Sequence, residues 1–258
     1  MEATLAGLRA RERAATALAL GALALLTLLA WSRFVGYGAH AGHSPAMHAA
    51  PWDASFLATS VAMWSVMMVA MMLPSATPMI LAFTRVHCQR AASGAAAVPS
   101  ALFVSGYVLV WIAWSILAAL AQSALQAGDL LDPVTLRSGP LAGSVLLLAA
   151  GLFQWSPLKE ACLAKCRSPL SLLLTEWREG ARGALVMGLR HGAFCAGCCW
   201  ALMMLMFVGG VMSLAWMGAL AIYMLAEKIV PHGRLLSRAS GAVLIVAAIA
   251  VAAAKLAG

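Results

Sequence analysis

The segment from His191 to Met206 places histidine, cysteine and methionine side chains in an otherwise apolar sequence, HGAFCAGCCWALMMLM. At the helical rotation of about 100° per residue, His191, Cys195, Cys198, Cys199 and Met206 fall within one arc of about 100°. Thiolate and thioether groups prefer Cu(I), and thiolate with imidazole also suits zinc. The sequence therefore predicts a soft-metal site on one face of an apolar helix.

Methionines could extend this site into neighbouring helices. Met63, Met67 and Met71 form an i, i+4, i+8 ladder, and Met203 lies in the cysteine-containing segment. Pro74 and Pro78 follow the ladder and predict that its helix breaks or kinks. Alternatively, methionine fills irregular gaps in apolar cores, which would make each of these residues ordinary packing.

Three histidines, His40, His43 and His48, lie with Met47 in the loop 33–54. Neutral imidazoles and a thioether could capture copper, zinc or nickel at an outer surface. The same composition also describes a polar surface loop without a ligand. The sequence leaves both interpretations open.

Cys162 and Cys166 lie in 158–190, the largest segment predicted to be cytoplasmic. On a helix they would be one turn apart and could share a metal ion. No second cysteine pair follows at zinc-finger spacing, so a finger is not predicted. The run 170–187 mixes apolar and charged residues and predicts an amphipathic helix on a membrane surface.

Composition places the chain in a membrane. Hydrophobic residues make up 63% of it and charged residues only 10%, against about 25% charged in soluble domains. We predict one integral membrane domain over 1–258, an all-α polytopic bundle of about seven spans. The spans are 14–32, 55–82, 101–124, 140–157, 191–209, 211–229 and 237–256.

The net charge of +8 reflects topology rather than nucleic-acid binding. Most Lys and Arg residues precede the first span or follow the second, fourth and sixth, which predicts a cytoplasmic N-terminus in a bacterial inner membrane. These basic residues would contact anionic lipid. A cleaved signal peptide ending near Ala39-His40-Ala41 is an alternative to the first span. On this topology no cysteine faces the oxidising side, so disulfides are not expected.

Two segments repeat a pattern. Trp64, Met67 and Met68 match Trp200, Met203 and Met204 in order and spacing. The two spans run in opposite directions on the predicted topology. This indicates two inverted halves of three spans each, plus one extra helix, as in secondary transporters.

The segments WSVMMVAMMLPSATP and GAFCAGCCWALMMLMFVGGVMSLAWM, together with Glu227-Lys228, resemble a bacterial family of predicted metal-binding integral membrane proteins without an assigned function. The resemblance covers roughly the second to sixth spans. It implies metal binding, with Cys195, Cys198 and Cys199 as ligands. It does not imply a particular metal, reaction or direction of transport.

The leading hypothesis is a membrane protein that binds and translocates Cu(I), or else zinc, along a path of Cys, His and Met residues. The predicted partners are a metallochaperone or a second copy of the chain. No catalytic residues are predicted. One alternative is a thiol redox carrier using Cys195-x-x-Cys198, although the outer side offers no partner cysteine. The other is a structural or assembly protein whose cysteines only pack.

Overall fold

The computed structural model describes residues 2–40, 50–90 and 97–257, and within these residues the chain is all-helical. The all-α class is confirmed. A short loop, 128–139, joins the third and fourth helices and contains one isolated bridge between Leu131 and Ser138. The described helices are α1 Glu2–His40, α2 Ala54–Arg90, α3 Ala97–Ala127, α4 Pro140–Phe153, α5 Pro157–Arg167, α6 Pro169–Glu176, α7 Gly180–Met204, α8 Met206–Gly209, α9 Leu214–Ile229 and α10 Gly233–Ala257.

Five stretches of the described chain are long and apolar enough to cross a membrane: Glu12–Arg33, Ala54–Arg90, Val98–Ala127, Gly180–Gly209 and Gly233–Ala257. The α4 and α5 helices, bent by 65° at their junction, would make a sixth if they form one span. The α9 helix has 16 residues, which is fewer than the roughly 20 that a span needs. The count of seven spans stays a prediction.

The inverted repeat also stays a prediction, because its two matched tryptophans have different surroundings. Trp64 is buried, and its indole nitrogen donates to Gln122 Oε1 at 2.8 Å. Trp200 is 38% exposed and packs edge-on against Trp114 and Phe153.

The segment 158–190 is mostly helical. It contains most of α5, all of α6 and the first turns of α7, which begins at Gly180 rather than at 191. Ser156 caps α5 by accepting from Lys159 N, and a proline occupies the first turn of both α5 and α6, a position that suits proline. The single amphipathic helix predicted over 170–187 is therefore divided between α6 and the first turns of α7, with residues 177–179 between them.

The sequence predicts a break or a kink at the prolines of α2, and the structure excludes the break. The helix is continuous from Ala54 to Arg90 through Pro74 and Pro78. Pro74 lacks the N–H that would bond the carbonyl of Ala70. Trp31 of α1 donates its indole N–H to that carbonyl at 3.2 Å, so the freed group has a partner.

The core forms where α3 packs against both α2 and α7, with α5 against α7 and α10 against α4. The close approach of α3 and α7 depends on glycines, which have no Cβ. A Cβ on Gly188 would lie 2.0 Å from the backbone oxygen of Phe103, and one on Gly106 would lie 2.3 Å from that of Leu185. The two backbones therefore touch, which brings α3 side chains to the α7 cysteines.

The loop 128–139 closes the far end of the α7–α8 segment. The N–H of Ser138 donates to Phe207 O at 2.6 Å, and Arg137 Nε donates to Val208 O at 3.0 Å. Both bonds satisfy carbonyls at a helix end. Within the loop, hydrogen bonds from the backbone and hydroxyl of Thr135 lower the pKa of the Asp132 carboxyl.

Candidate metal centre

The cysteine-bearing face of α7 points into the protein. His191, Cys195, Cys198 and Cys199 are all buried, with at most 3% of each residue exposed. Met206 is also buried, but it lies on α8, beyond a break in the helix at Leu205. The predicted face therefore exists on α7 for His191 and the three cysteines.

The thiols of α7 are joined by those of α5. Cys198 and Cys199 donate to the carbonyl of Cys195 at 3.1 Å and 2.9 Å. The Cys166 thiol interacts with the thiols of Cys195 and Cys198, and Cys162 interacts with Cys198. All five are free thiols. Two cysteine groups that are about 30 residues apart in sequence thus meet between two helices.

Gly197 makes room for Cys162. A Cβ on Gly197 would lie 2.8 Å from Cys162 Sγ. We expect Gly197→Ala to displace the Cys162 thiol, and to lower the yield of a Cys162–Cys198 cross-link formed by dibromobimane in the metal-free protein at least threefold. Gly218→Ala, at a position with open space around it, is the control. An unchanged yield would show that Cys162 does not pack on Gly197.

A methionine from α2, Met72, joins these five thiols. We call the six residues the sulfur cluster: Cys162, Cys166, Cys195, Cys198, Cys199 and Met72. Met72 is fully buried, and its Sδ lies 4.0 Å from Cys199 Sγ. Its carbonyl accepts hydrogen bonds from Tyr107 at 3.0 Å and Ser75 Oγ at 2.9 Å. Three helices, α2, α5 and α7, therefore supply sulfur to one buried region.

Two polar side chains contact Cys195. Lys228 Nζ lies 3.1 Å from Cys195 Sγ and donates to Ser75 Oγ at 2.8 Å. The Tyr107 hydroxyl lies 3.2 Å from the same sulfur. The sequence predicted no role for either residue. Lys228 left one signal, as part of the charged pair Glu227-Lys228 at the end of a long apolar run, whereas Tyr107 in α3 left none.

His191 is stacked on aromatic rings one turn from Cys195. Its ring centroid lies 5.5 Å from that of Tyr107 and 6.1 Å from that of Phe103. Its buried Nδ1 has no hydrogen-bond partner among the described residues. Such orphaned buried atoms are uncommon in native proteins, and an imidazole nitrogen without a partner suits a role as a metal ligand.

The remaining predicted ligands stay predictions. Five buried methionines belong to the same apolar core, and in the part of the chain that the structure describes none of them hydrogen-bonds to a cysteine: Met63, Met67, Met71, Met203 and Met206. The His40 side chain and residues 41–49, with His43 and His48, lie outside the described residues.

The sulfur groups form a ligand set, not a finished coordination sphere. Over residues 2–40, 50–90 and 97–257, no three His, Cys, Asp or Glu side chains converge in an arrangement that could hold a metal ion. Met72, whose sulfur lies near that of Cys199, is a methionine and so is not one of these four residue types. Binding would therefore require rotamer changes among the thiols.

The sequence model of a copper chaperone family, PpoB2, matches residues 61–251. The chain belongs to this copper chaperone family. The matched region contains all residues of the sulfur cluster and excludes the histidine loop. The family assignment therefore supports a copper-related function. No curated protein and no solved structure matches the chain. The resemblance to metal-binding proteins is confirmed for a metal-related family; a bacterial source and a membrane location remain predictions.

Proposed function

We propose that this protein is an integral membrane copper chaperone that holds Cu(I) between thiolates of α5 and α7 and the thioether of Met72. The observation that carries the proposal is the 4.0 Å separation of Cys199 Sγ and Met72 Sδ beside the other buried thiols. Thiolate sulfur binds a zinc-sized ion at about 2.3 Å, so two sulfurs on one ion can be up to about 4.6 Å apart. Cys199 and Met72 lie within that reach.

The chemistry of the donors supports Cu(I) over harder ions. Thiolate and thioether ligands are soft, whereas Mg²⁺ and Ca²⁺ need oxygen. His191 adds an imidazole that zinc would also accept. The family assignment favours copper between these two metals.

The arrangement also supports an entry route. Cys162 and Cys166 are only partly buried, whereas Cys195, Cys198 and Cys199 are fully buried. A Cu(I) ion could pass from the α5 pair to the α7 thiols by exchange of one sulfur at a time. Weak binding at several sites allows an ion both to enter and to leave.

We propose that the ion then continues along α2. Met71, Met67 and Met63 follow Met72 toward the start of that helix and are buried. Thioethers bind Cu(I) without charge, so they would hold the ion weakly along an apolar path. On the predicted topology this path leads from the cytoplasm toward the outer side, where the loop with His40, His43 and His48 would receive the ion.

Copper content tests the proposal. The full-length protein, purified in detergent and loaded with Cu(I) under reducing conditions, should bind copper. The triple variant Cys195→Ser, Cys198→Ser, Cys199→Ser should retain less than a tenth of it. Cys88→Ser is the matched control, since Cys88 lies sixteen residues beyond Met72 on α2, about 24 Å along the helix.

Equal copper content in the wild type and the triple variant would overturn the proposal. A reversible Cys195–Cys198 or Cys166–Cys198 disulfide in a protein that binds no copper would instead support the thiol redox carrier.

A further inference from the structure

Lys228 brings a positive charge to the sulfur cluster, and it is held there independently of the sulfur. Its Nζ bonds to Ser75 Oγ at 2.8 Å, and Ser75 is itself anchored by donating to Met72 O. The ammonium would therefore remain beside the cluster after Cys195 binds a metal ion.

No carboxylate of a described residue neutralises this charge. The preceding residue, Glu227, points into a different site, where both of its oxygens accept from Lys159 Nζ at 2.9 Å. Among the described residues, no Asp or Glu lies within ion-pair distance of Lys228. Apart from Ser75, the partner that the structure gives its Nζ is Cys195 Sγ.

A fixed cation next to a metal site discriminates between ions by charge. The repulsion between the ammonium and a bound ion is proportional to the charge of the ion, so a divalent ion experiences twice the repulsion of a monovalent one. Two thiolates, one ammonium and one Cu(I) ion add to zero charge. The same set with Zn²⁺ keeps a net positive charge in a buried site, which is unfavourable.

We propose that Lys228 is a specificity-determining residue that makes the sulfur cluster selective for monovalent soft cations over divalent ones. This inference rests on the proposed copper function and adds to it the means by which zinc is rejected despite suitable ligands. Lys228 acts by charge from outside the coordination sphere, through its position beside Cys195.

The test compares two metals in one set of variants. Affinities for Cu(I) and for Zn²⁺ are measured on the full-length protein in detergent, by competition with chromophoric chelators, for the wild type, Lys228→Gln and Lys228→Arg. One further unit of charge about 6 Å from the ammonium, at an effective dielectric constant of about 20, changes affinity about a hundredfold. In Lys228→Gln, the ratio of the affinity for Zn²⁺ to the affinity for Cu(I) should therefore rise about a hundredfold over the wild type.

Two variants serve as controls. Lys228→Arg keeps the charge and should keep the wild-type ratio of the two affinities. Lys165→Gln removes the charge of a lysine adjacent to Cys166 whose side chain is 46% exposed, where water screens it, and should also leave the ratio unchanged.

The outcomes separate the two proposals. If the wild type binds Cu(I) and Lys228→Gln changes both affinities by the same factor, the selectivity role of Lys228 is wrong while the copper function stands. If the wild type binds no Cu(I), the proposed function itself fails.

Discussion

Replacing Glu227 with alanine is expected to lower the free energy of unfolding by about 3–5 kcal/mol, because it leaves a buried ammonium without a counter-charge. Lys159 and Glu227 are only 1% and 2% exposed in their side chains, and they form a two-pronged ion pair at 2.9 Å. The pair is enclosed by α4, α5, α9 and α10, so water cannot readily replace the lost partner.

Further hydrogen bonds hold the carboxylate. Tyr223 and Ser237 donate their hydroxyls to Glu227 Oε1, and Gln154 and Ser240 in turn bond to Tyr223. A buried pair adds little net stability compared with well-packed apolar residues, but it can fix one arrangement of helices. Here it fixes α5, the helix that carries Cys162 and Cys166, against α9 and α10. Loss of the pair should therefore also weaken Cu(I) binding.

The measurement is thermal unfolding in detergent, followed by circular dichroism. Glu160→Ala, which breaks a solvent-exposed pair with Arg234, is the control and should cost no more than about 1 kcal/mol. The double variant Glu227→Ala, Lys159→Met should recover part of the loss, since it removes the unpaired charge. Equal stabilities of Glu227→Ala and Glu160→Ala would contradict this account of the ion pair.

Gly188→Ala is expected to destabilise the protein by about 3 kcal/mol, at the upper end of the range for overpacked sites. The added Cβ would lie 2.0 Å from Phe103 O and 2.9 Å from its carbonyl carbon. A backbone carbonyl cannot rotate away as a flexible side chain can, so α3 and α7 must separate. Tyr107, one turn beyond Phe103 on α3, would then lose its contact with Cys195.

Gly218→Ala is the matched control for this variant, because nothing lies within 4 Å of a Cβ at that position on α9. Alanine there should be neutral or stabilise the helix by up to about 1 kcal/mol. Both variants are followed by thermal unfolding in the same detergent. Similar unfolding temperatures for the two would show that α3 and α7 are not in backbone contact.

Helical periodicity was enough to predict the cysteine face of α7, since His191, Cys195, Cys198 and Cys199 are local in sequence and share one side of a regular helix. It could not predict contacts between helices. Tyr107 and Lys228 are far from the cysteines in sequence, and nothing in their own neighbourhoods marks them as contacts of Cys195. Met72 belonged to a methionine-rich run in which no single residue stands out.

The prolines of α2 also show that local sequence rules do not predict contacts between helices. The rule that Pro74 breaks or kinks a helix is local, because the proline ring crowds the carbonyl of Ala70 and leaves it without a donor from its own helix. The donor comes from Trp31, which is thirty-nine residues away. The start of α7 was assigned to a separate surface helix for a different reason, because Arg182 and Arg190 interrupt the apolar sequence although Ala184 and Met187 between them are buried.

X-ray absorption at the copper edge of the Cu(I)-loaded, full-length protein tests the central claim most directly, since it identifies the atoms bound to the ion. We predict a copper ion surrounded by sulfur, with a component from thioether that is lost in Met72→Leu while the thiolate component remains. A coordination sphere made mainly of nitrogen or oxygen, or a sulfur signal that persists unchanged when Cys195, Cys198 and Cys199 are replaced by serine, would contradict the account.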